Sequence, residues 1–492
     1  MNILFYSTYH FNTESFGPYL ELMQDHIDKG DNVVFLSCDG ELSSCQTNPF
    51  HSNIVCKTCV STRKNAVACL TKPITEYTLN DVLPFSKVNS HLELLDATSI
   101  ANFKNCNFES FDIGMAVFSS VVSVFRDPTP DLNKNKDLVQ KQWISSMWVY
   151  EGIKTLIESE KIDRVYVFNA RFATLRACLR ASKHLNTDCF VIEESNDREH
   201  FAIYENAMPH SIAYVESLIE KYWEDGETTK SEIAMNYYKN RSKGRDSRFG
   251  HFTAKQLQDK LPDQWDDSKQ NIVIYISSED EFVSIGKEWE NTLYSTQVAA
   301  IQQISDSMLQ HKDFVFYVRI HPNLLGILND SIRSLYAITN DNIVIIPAES
   351  SVSTYGLMFN ASKIISFGSS VGIEAAAFGK ISILAGKTFY MNLGSTYNPQ
   401  SHYELISLLL TENLVEKSVE GALKYAYYLI NFGKKYNHFK RKDTFQAYLN
   451  GKLYGPNFTY LLIRRIGRIL RIRKAKKIKA QNIDATKLLQ RN

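Results

Sequence analysis

Two stretches of sequence decide the fold of this chain, YVRIHPN at residues 317–323 and IISFGSSVGIEA at residues 364–375. In each stretch, an apolar run typical of a β-strand ends abruptly in polar or small residues. In the second stretch, the helix-forming run 374–377 follows at once. A strand that leads through a Gly/Ser loop into a helix presents unpaired backbone N–H groups at the positive end of the helix dipole. The pattern therefore predicts an anion site, and phosphate is the usual anion at such a site.

The order of these stretches predicts successive β/α units of one parallel sheet, whose loops face one crevice. We expect His321 to donate to a phosphate oxygen from a turn that Pro322 fixes. Ser369 and Ser370 offer hydroxyls and backbone N–H groups, and the Glu374 carboxylate can accept from ribose hydroxyls. The alternative is an ordinary turn and an ordinary helix cap, but the two motifs in this order favour a binding site.

Together the two loops resemble the donor-binding domain of GT-B glycosyltransferases that build bacterial capsule and other surface polysaccharides. The His-Pro and Ser-Ser motifs resemble those of sialyltransferases and Kdo transferases, which use CMP-sugars. The resemblance is carried mainly by residues 270–395. It implies an α/β chain with two Rossmann-like, doubly wound domains that face a central cleft. The donor-binding residues that it implies are Arg319, His321, Pro322, Ser277, Ser278, Gly368, Ser369, Ser370 and Glu374.

The resemblance also implies an activity, which is transfer of a sugar from a nucleotide sugar to a surface polysaccharide or lipid-linked glycan. We expect the transfer to be inverting and metal-independent, with no cofactor for catalysis. Two alternatives stay open. A sugar-nucleotide 2-epimerase would keep the fold and change the chemistry, and a non-catalytic capsule assembly or export factor would keep the fold alone.

Length and composition agree with a two-domain globular enzyme. The chain has 492 residues, which is too long for one core. Its net charge of +1 argues against nucleic-acid binding by the chain as a whole. No stretch approaches about 18 uninterrupted apolar residues, and the start, MNILFY, has a strand pattern rather than that of a signal peptide. We therefore expect a cytoplasmic protein, placed at the inner face of the plasma membrane by the tail described below.

Alternating strand and helix patterns predict two domains. We expect an acceptor-binding domain at residues 1–262, with polar helices from about residue 197 onward, and a nucleotide-sugar-binding domain at residues 270–455. The polar segment between them, which contains Pro262, has no periodicity and is typical of a linker.

The first domain should supply a base that deprotonates the acceptor hydroxyl. Two loops at predicted strand ends offer candidates, which are His10, Glu14, Glu194 and Asp197. Each has a structural alternative, since a carboxylate can start a helix and an acid can form an internal salt bridge. The sequence does not choose among them. Nearby polar residues could hold an acidic sugar or a phosphate of the acceptor side, and these are Asn169, Arg171 and Arg176.

Four cysteines cluster after the second predicted strand, at Cys38, Cys45, Cys56 and Cys59. Four thiols, two of them in a CxxC pair, could enclose a tetrahedral structural zinc ion. The composition of residues 38–59 favours a tight loop over a helix. The alternative is that these thiols are small apolar fillers of the core or free surface groups.

The C-terminal residues 456–492 predict a basic amphipathic tail. Residues 464–479 hold nine Lys or Arg and no acid, while Phe458, Leu462, Ile466 and Ile469 gather on one side of a helical wheel. Such a pattern indicates attachment to an anionic membrane surface. An RNA-binding or simply solvated tail is the alternative.

Overall fold

The computed structural model describes residues 1–88, 99–245, 253–327, 329–460 and Leu462. The first half alternates strands with helices. Its strands are β1 (Asn2–Ser7), β2 (Asn32–Ser37), β3 (Thr75–Thr78), β4 (Arg164–Phe168), β5 (Asp188–Glu194) and β6 (His200–Glu205). Its helices are α1 (Thr13–Asp28), α2 (Asn53–Val67), α3 (Leu79–Val82), α4 (Ile100–Lys104), α5 (Ile113–Phe125), α6 (Lys136–Ser159), α7 (Ala173–His184), α8 (Ile212–Glu224) and α9 (Lys230–Ser242).

The first sheet is parallel from β5 through β4, β1 and β2 to β3, and β6 adds an antiparallel strand beside β5. Helices cover both of its faces. On β1, Leu4 and Tyr6 pack with the cluster under α5, α6 and α7, whereas Ile3 and Phe5 pack toward α1. Burial on both faces explains why the central strands are continuous apolar runs rather than alternating ones.

The second half repeats this design. Its strands are β7 (Gln270–Tyr275), β8 (Phe314–Arg319), β9 (Ile343–Ile346), β10 (Lys363–Ser366) and β11 (Ser382–Leu384). Its helices are α10 (Gln297–Ser307), α11 (Asp330–Tyr336), α12 (Thr354–Asn360), α13 (Ser370–Ala377), α14 (His402–Leu410) and α15 (Glu420–Asn431). The sheet order is β11-β10-β7-β8-β9, all parallel, so the order reverses between β7 and β10. Two Rossmann-like parallel sheets confirm the predicted α/β class and form the arrangement of the GT-B fold.

The chain after α15 returns to the first domain. Strand β12 (Lys434–Lys435) pairs antiparallel with β6 as the seventh strand of the first sheet. Strands β13 (Phe439–Arg441), β14 (Ala447–Leu449) and β15 (Lys452–Tyr454) form a small antiparallel sheet that packs on α1. The predicted range of the second domain, 270–455, thus includes a segment that lies on the first. The cause is long-range, because this segment supplies apolar side chains that cover α1.

Two further elements differ from the sequence prediction. Strand β6 replaces the start of the predicted polar helices, because Phe201 and Tyr204 are buried beside β5. Helix α2 replaces part of the predicted cysteine loop, and its buried Cys59, Thr62 and Ala66 follow helical spacing. In the described ranges, no helix is long and apolar enough to cross a membrane.

A single buried carboxylate holds the returning segment, and its removal should be costly. The Glu21 side chain is fully buried and accepts from the backbone N–H groups of Asn437, His438 and Phe439 at 2.7, 2.9 and 2.8 Å. We expect Glu21→Gln to lower the free energy of unfolding by about 3 kcal/mol in urea titrations, because one accepting oxygen becomes an NH2 group and the charge that strengthens these hydrogen bonds is lost. The exposed Glu158→Gln is the control and should change it by less than about 0.5 kcal/mol. Equal stability of the two variants would contradict this role.

Candidate functional site

A cleft of about 560 Å³ runs between the two domains. The second domain lines it with the end of β8 and the loop between β10 and α13, and the first domain lines it with residues that follow β5. Helix α15 contributes an aromatic wall. The volume lies within the range of about 300–1,000 Å³ that is usual for small-molecule sites.

The loop between β10 and α13 has the geometry of an anion site. Gly368 has φ +93°, and a Cβ there would lie 2.7 Å from the Lys387 carbonyl oxygen, so this tight turn requires glycine. Ser369 is the N-cap of α13 and accepts from the Val371 N–H at 3.4 Å. Ser369 and Ser370 both line the cleft. The start of α13 therefore faces the cleft with its positive dipole end.

Arg319 brings a buried positive charge to the same place. Its side chain is 2% exposed and lies at the end of β8, where the guanidinium donates to the carbonyls of Pro347 and Ser350. Its Nε has no hydrogen-bond partner among the described residues. Burial lowers the pKa of Arg319, and an anion in the cleft would offset the cost of burying this charge.

His321 is held in one neutral form. Burial and the nearby positive charges of Arg319 and Arg126 lower the pKa of its imidazole to about 4. The Asn323 N–H donates to His321 Nδ1 at 3.1 Å, which assigns the proton of the neutral ring to Nε2. His321 and Pro322 line the cleft, so a neutral imidazole forms part of its wall.

Glu374 lies in the cleft but is already heavily used. Its buried carboxylate accepts from Tyr355 Oη at 2.7 Å, from Ser370 Oγ at 2.9 Å and from Arg241 Nη2 at 3.1 Å. A carboxylate has about four acceptor positions, so the predicted ribose contact would use the remaining one. Arg241 was not predicted as a site residue, because it lies in the last turn of α9 and belongs to no recognisable motif.

The predicted donor contacts Ser277 and Ser278 are buried and connect loops to each other. Ser277 Oγ donates to the Phe367 carbonyl at 2.7 Å, which joins β7 to β10 where the strand order reverses. Ser278 Oγ accepts from Asn323 Nδ2 at 3.3 Å. These serines shape the anion loops from behind rather than lining the cleft.

Of the four predicted bases, the structure brings Glu194 into the cleft. His10 is 1% exposed, lies against Phe16, and burial holds its pKa well below the usual value. Glu14 pairs with Arg441 Nη1 at 2.8 Å. The remaining candidate, Asp197, pairs with the His200 ring at 2.8 Å and accepts from the Glu199 N–H.

The structure gives Arg171 and Arg176 a role other than acceptor binding. Arg171 donates to the Glu281 carbonyl at 2.7 Å, and Arg176 donates to the Ile285 carbonyl at 2.8 Å. Lys104 donates to the carbonyl between them, that of Val283, at 3.1 Å. These three first-domain cations, which we name the interdomain clasp, hold alternate carbonyls of one second-domain loop. Asn169 lies in the turn before Arg171, where its φ is +60°, and it donates to Glu193 Oε2 at 2.6 Å.

The interdomain clasp is connected to the imidazole in the cleft. Glu281, whose carbonyl accepts from Arg171, lines the cleft, and its carboxylate accepts from Asn323 Nδ2 at 2.9 Å. Asn323 in turn donates its N–H to His321. Burial, with Asp280 beside it, raises the pKa of Glu281. The first domain thus helps to orient a donor group that the second domain supplies.

The four clustered cysteines line one small cavity of about 20 Å³. Burial raises the pKa of Cys38 to about 12 and also raises the pKa of Cys45 and Cys59. A tetrahedral zinc site would place its sulfur atoms about 3.8 Å apart. In the described part of the chain, the group with three candidate ligand atoms within 4.8 Å is instead Glu21, Asp25 and His438. The cysteines would have to contract around an ion, and zinc binding stays a prediction.

The predicted basic tail, residues 464–479, lies outside the described residues. Two apolar residues that precede this basic segment, Phe458 and Leu462, are described, and they are exposed by 78% and 47%.

Comparison with protein-family models and with curated protein sequences finds no match. Among solved structures, a KpsC β-Kdo 2,4 transferase from Thermosulfurimonas dismutans is 14% identical with a TM-score of 0.37, covering 54% of this chain and 80% of its own. A putative UDP-N-acetylglucosamine 2-epimerase from Listeria monocytogenes is 12% identical, with a TM-score of 0.26 and coverage of 89% and 92%. The Streptomyces nogalater glycosyltransferase SnogD is 15% identical, with a TM-score of 0.25 and coverage of 88% and 96%. These values describe distant likenesses.

The neutral state of His321 predicts a pH dependence of stability. In the unfolded chain the ring takes up a proton near the ordinary pKa of about 6.5, whereas in the folded chain it does so near 4. Between these values the unfolded chain binds more protons, so stability falls as the pH drops from about 6.5 to about 4. Urea titrations should show that wild type loses up to about 3 kcal/mol more than His321→Gln over this range. Parallel pH profiles for the two proteins would show that the ring is not held neutral.

The zinc prediction is tested by metal content. Protein purified without added metal should contain close to one zinc per chain by elemental analysis, and Cys56→Ser with Cys59→Ser should lose it. Cys69→Ser with Cys106→Ser removes two cysteines outside the cluster and is the matched control. If the wild-type protein is fully stable without metal, these cysteines are packing residues of the core and not zinc ligands.

Proposed function

We propose that the protein is a glycosyltransferase that moves a sugar from a nucleotide sugar to a hydroxyl group of a glycan in this cleft. One observation carries the proposal. A set of protein groups suited to phosphate, which are Arg319, His321 and the start of α13, lines the same cleft as Glu194. Transfer requires both functions, a site for the departing nucleotide and a base for the attacking hydroxyl.

The departing phosphate would lie at the start of α13. Arg319 and His321 line the cleft together with the start of α13, so negative charge that develops on the leaving group would meet preorganised positive charge and N–H dipoles. Because the protein itself supplies this charge, the arrangement supports a metal-independent transfer. The nucleoside would extend toward Glu374, Tyr355 and Arg241.

Glu194 would act as the base. The acceptor oxygen attacks the anomeric carbon, its proton passes to the Glu194 carboxylate, and the bond from that carbon to the phosphate oxygen breaks. Attack from the side opposite the leaving group inverts the anomeric centre. The acceptor would rest on the aromatic wall of the cleft, where Tyr428 stacks on Phe432 at 4.8 Å between ring centroids and Tyr204 meets Phe432 edge-on at 5.2 Å. Such rings suit the apolar faces of sugar units.

The proposed donor to test first is a CMP-sugar, and the proposed acceptor is a surface polysaccharide or a lipid-linked glycan at the inner face of the membrane. The paired His-Pro and Ser-Ser loops support this choice.

Nucleotide binding should depend on Ser369 and not on an equivalent helix cap elsewhere. A ligand at 100 times its dissociation constant stabilises a protein by about 2.7 kcal/mol, so thermal shifts with CMP, UDP, GDP and dTDP sugars should reveal the donor. Ser369→Ala should weaken that binding about tenfold or more. Ser401 caps α14 in the same way, by accepting from the Glu404 N–H at 3.1 Å, and Ser401→Ala is the matched control. Equal donor affinity of the two variants would contradict the assigned phosphate site.

Glu194→Gln should keep donor binding and lower transfer by about a hundredfold to ten-thousandfold, because the base is lost. Glu14→Gln and Asp197→Asn are controls, since their carboxylates pair with Arg441 and His200. Turnover should be followed with donor and acceptor together and with donor alone. Wild-type turnover by Glu194→Gln would refute the base assignment. Formation of an epimer from donor alone would show that the protein is an epimerase rather than a transferase.

A further inference from the structure

One surface of the first domain combines exposed apolar and basic side chains. It is formed by the loop that leads into α2, by the outer side of α2, by β15 and by the residues that follow β15, and we name it the α2 face. Its apolar members are exposed by 69% (Phe50), 41% (Ile54), 47% (Leu453), 78% (Phe458) and 47% (Leu462). Its basic members, Lys57 and Lys64, line a groove together with Asn457 and Tyr460.

Hydrogen bonds fix the parts of the α2 face to one another. Asn65 Nδ2, on α2, donates to the Gly455 carbonyl at 2.9 Å and to Asn457 Oδ1 at 3.3 Å. Strand β15 also packs against α2. Helix α2, strand β15 and the residues that follow β15 are therefore parts of one folded surface.

The charge of this face has one sign. Residues 42–75, which contain α2, include no Asp or Glu, and neither do residues 444–483, which contain β15 and continue beyond it. The acid at the edge of the groove, Asp39, pairs with Arg63 Nη2 at 3.0 Å. Two acid-free segments that are distant in sequence thus meet at one place on the surface.

We propose that the α2 face is a docking surface for an anionic lipid bilayer. Exposed Phe, Ile and Leu side chains can enter the headgroup region, while lysines at the rim are attracted to anionic lipids. The sequence that follows this face supports a bilayer as its partner, because residues 464–479 contain nine Lys or Arg. The folded face and the basic sequence then contact the same membrane.

Flotation of the full chain with vesicles tests the proposal. Vesicles of phosphatidylglycerol and phosphatidylcholine should carry the wild type upward, and vesicles of phosphatidylcholine alone should not. Phe50→Ser with Ile54→Ser and Phe458→Ser removes apolar members of the α2 face. Tyr403→Ser with Val415→Ser removes two apolar side chains of the second domain that are exposed by 81% and 70%, and is the control. We expect the first variant to bind at least about tenfold more weakly, with the control within twofold of wild type.

The charge of the α2 face is tested in parallel. Lys57→Glu with Lys64→Glu should weaken vesicle binding at least about tenfold, because each basic residue near the surface is worth roughly fivefold. Lys134→Glu with Lys312→Glu changes the net charge equally at exposed positions away from this face and should have little effect. Binding should also weaken as salt rises above about 0.15 M, where the Debye length is about 8 Å.

Two outcomes would overturn the proposal. If the α2-face variants bind vesicles like wild type while truncation after Tyr460 abolishes binding, the tail alone meets the membrane. If the variants instead change the molecular mass in solution, the face is covered by a second copy of the chain. Donor binding, measured by thermal shift, should be the same in all these variants, which keeps this test separate from that of the nucleotide site.

Discussion

The geometry of the cleft depends on the interdomain clasp. Lys104, Arg171 and Arg176 reach out of the first domain and donate to three alternate carbonyls of the loop that follows β7. Charge-assisted hydrogen bonds of this kind are strong, and Arg176, which is 1% exposed, also pairs with Asp112 Oδ2 at 2.9 Å. Because the clasp binds backbone rather than side chains, it fixes the position of the whole loop. Because that loop follows β7 and is held by the first domain, its position sets the distance between the two walls of the cleft.

The clasp also ties the electrostatics of the cleft to the domain arrangement. From Arg171 a chain of contacts passes through Glu281 and Asn323 to His321, whose ring is neutral and has its proton on the outward nitrogen. Arg319 and the start of α13 add positive charge at the same point. An anion at this point would meet donors that are already aimed at it, so little reorganisation would be needed on binding.

Elements fixed by local pattern were predictable, and roles fixed by distant partners were not. The sequence predicted a strand at the start of the chain and strands before the His321 and Gly368 loops, because doubly covered strands have clear local signals. It also placed Ser369, Ser370 and His321 at one crevice, since a parallel sheet aligns its loops. In contrast, the composition of residues 38–59 favoured a loop, although the buried Cys59, Thr62 and Ala66 of α2 follow helical spacing. Strand β6 and the return of the last strands depend on the surfaces they cover, and neither surface is visible in sequence.

The choice among the four candidate bases shows the same limit. Glu14 is removed from consideration by Arg441, which is 427 positions later in the chain. His10 is buried beside Cys59, which is 49 positions later in the chain. Both outcomes depend on packing between distant segments. A single sequence therefore offers four candidates for the base, and of these the fold places Glu194 among the residues that line the cleft.

We propose that phosphate, more than base or sugar, anchors the ligand in the cleft. Calorimetry can compare each nucleoside with its own monophosphate, for cytidine, uridine, guanosine and thymidine. Two or more charge-assisted hydrogen bonds, at about 1.5–3 kcal/mol each, predict that the accepted monophosphate binds at least about a hundredfold more tightly than its nucleoside. Equal affinity for nucleoside and monophosphate would contradict the account, and so would the absence of binding by all four pairs.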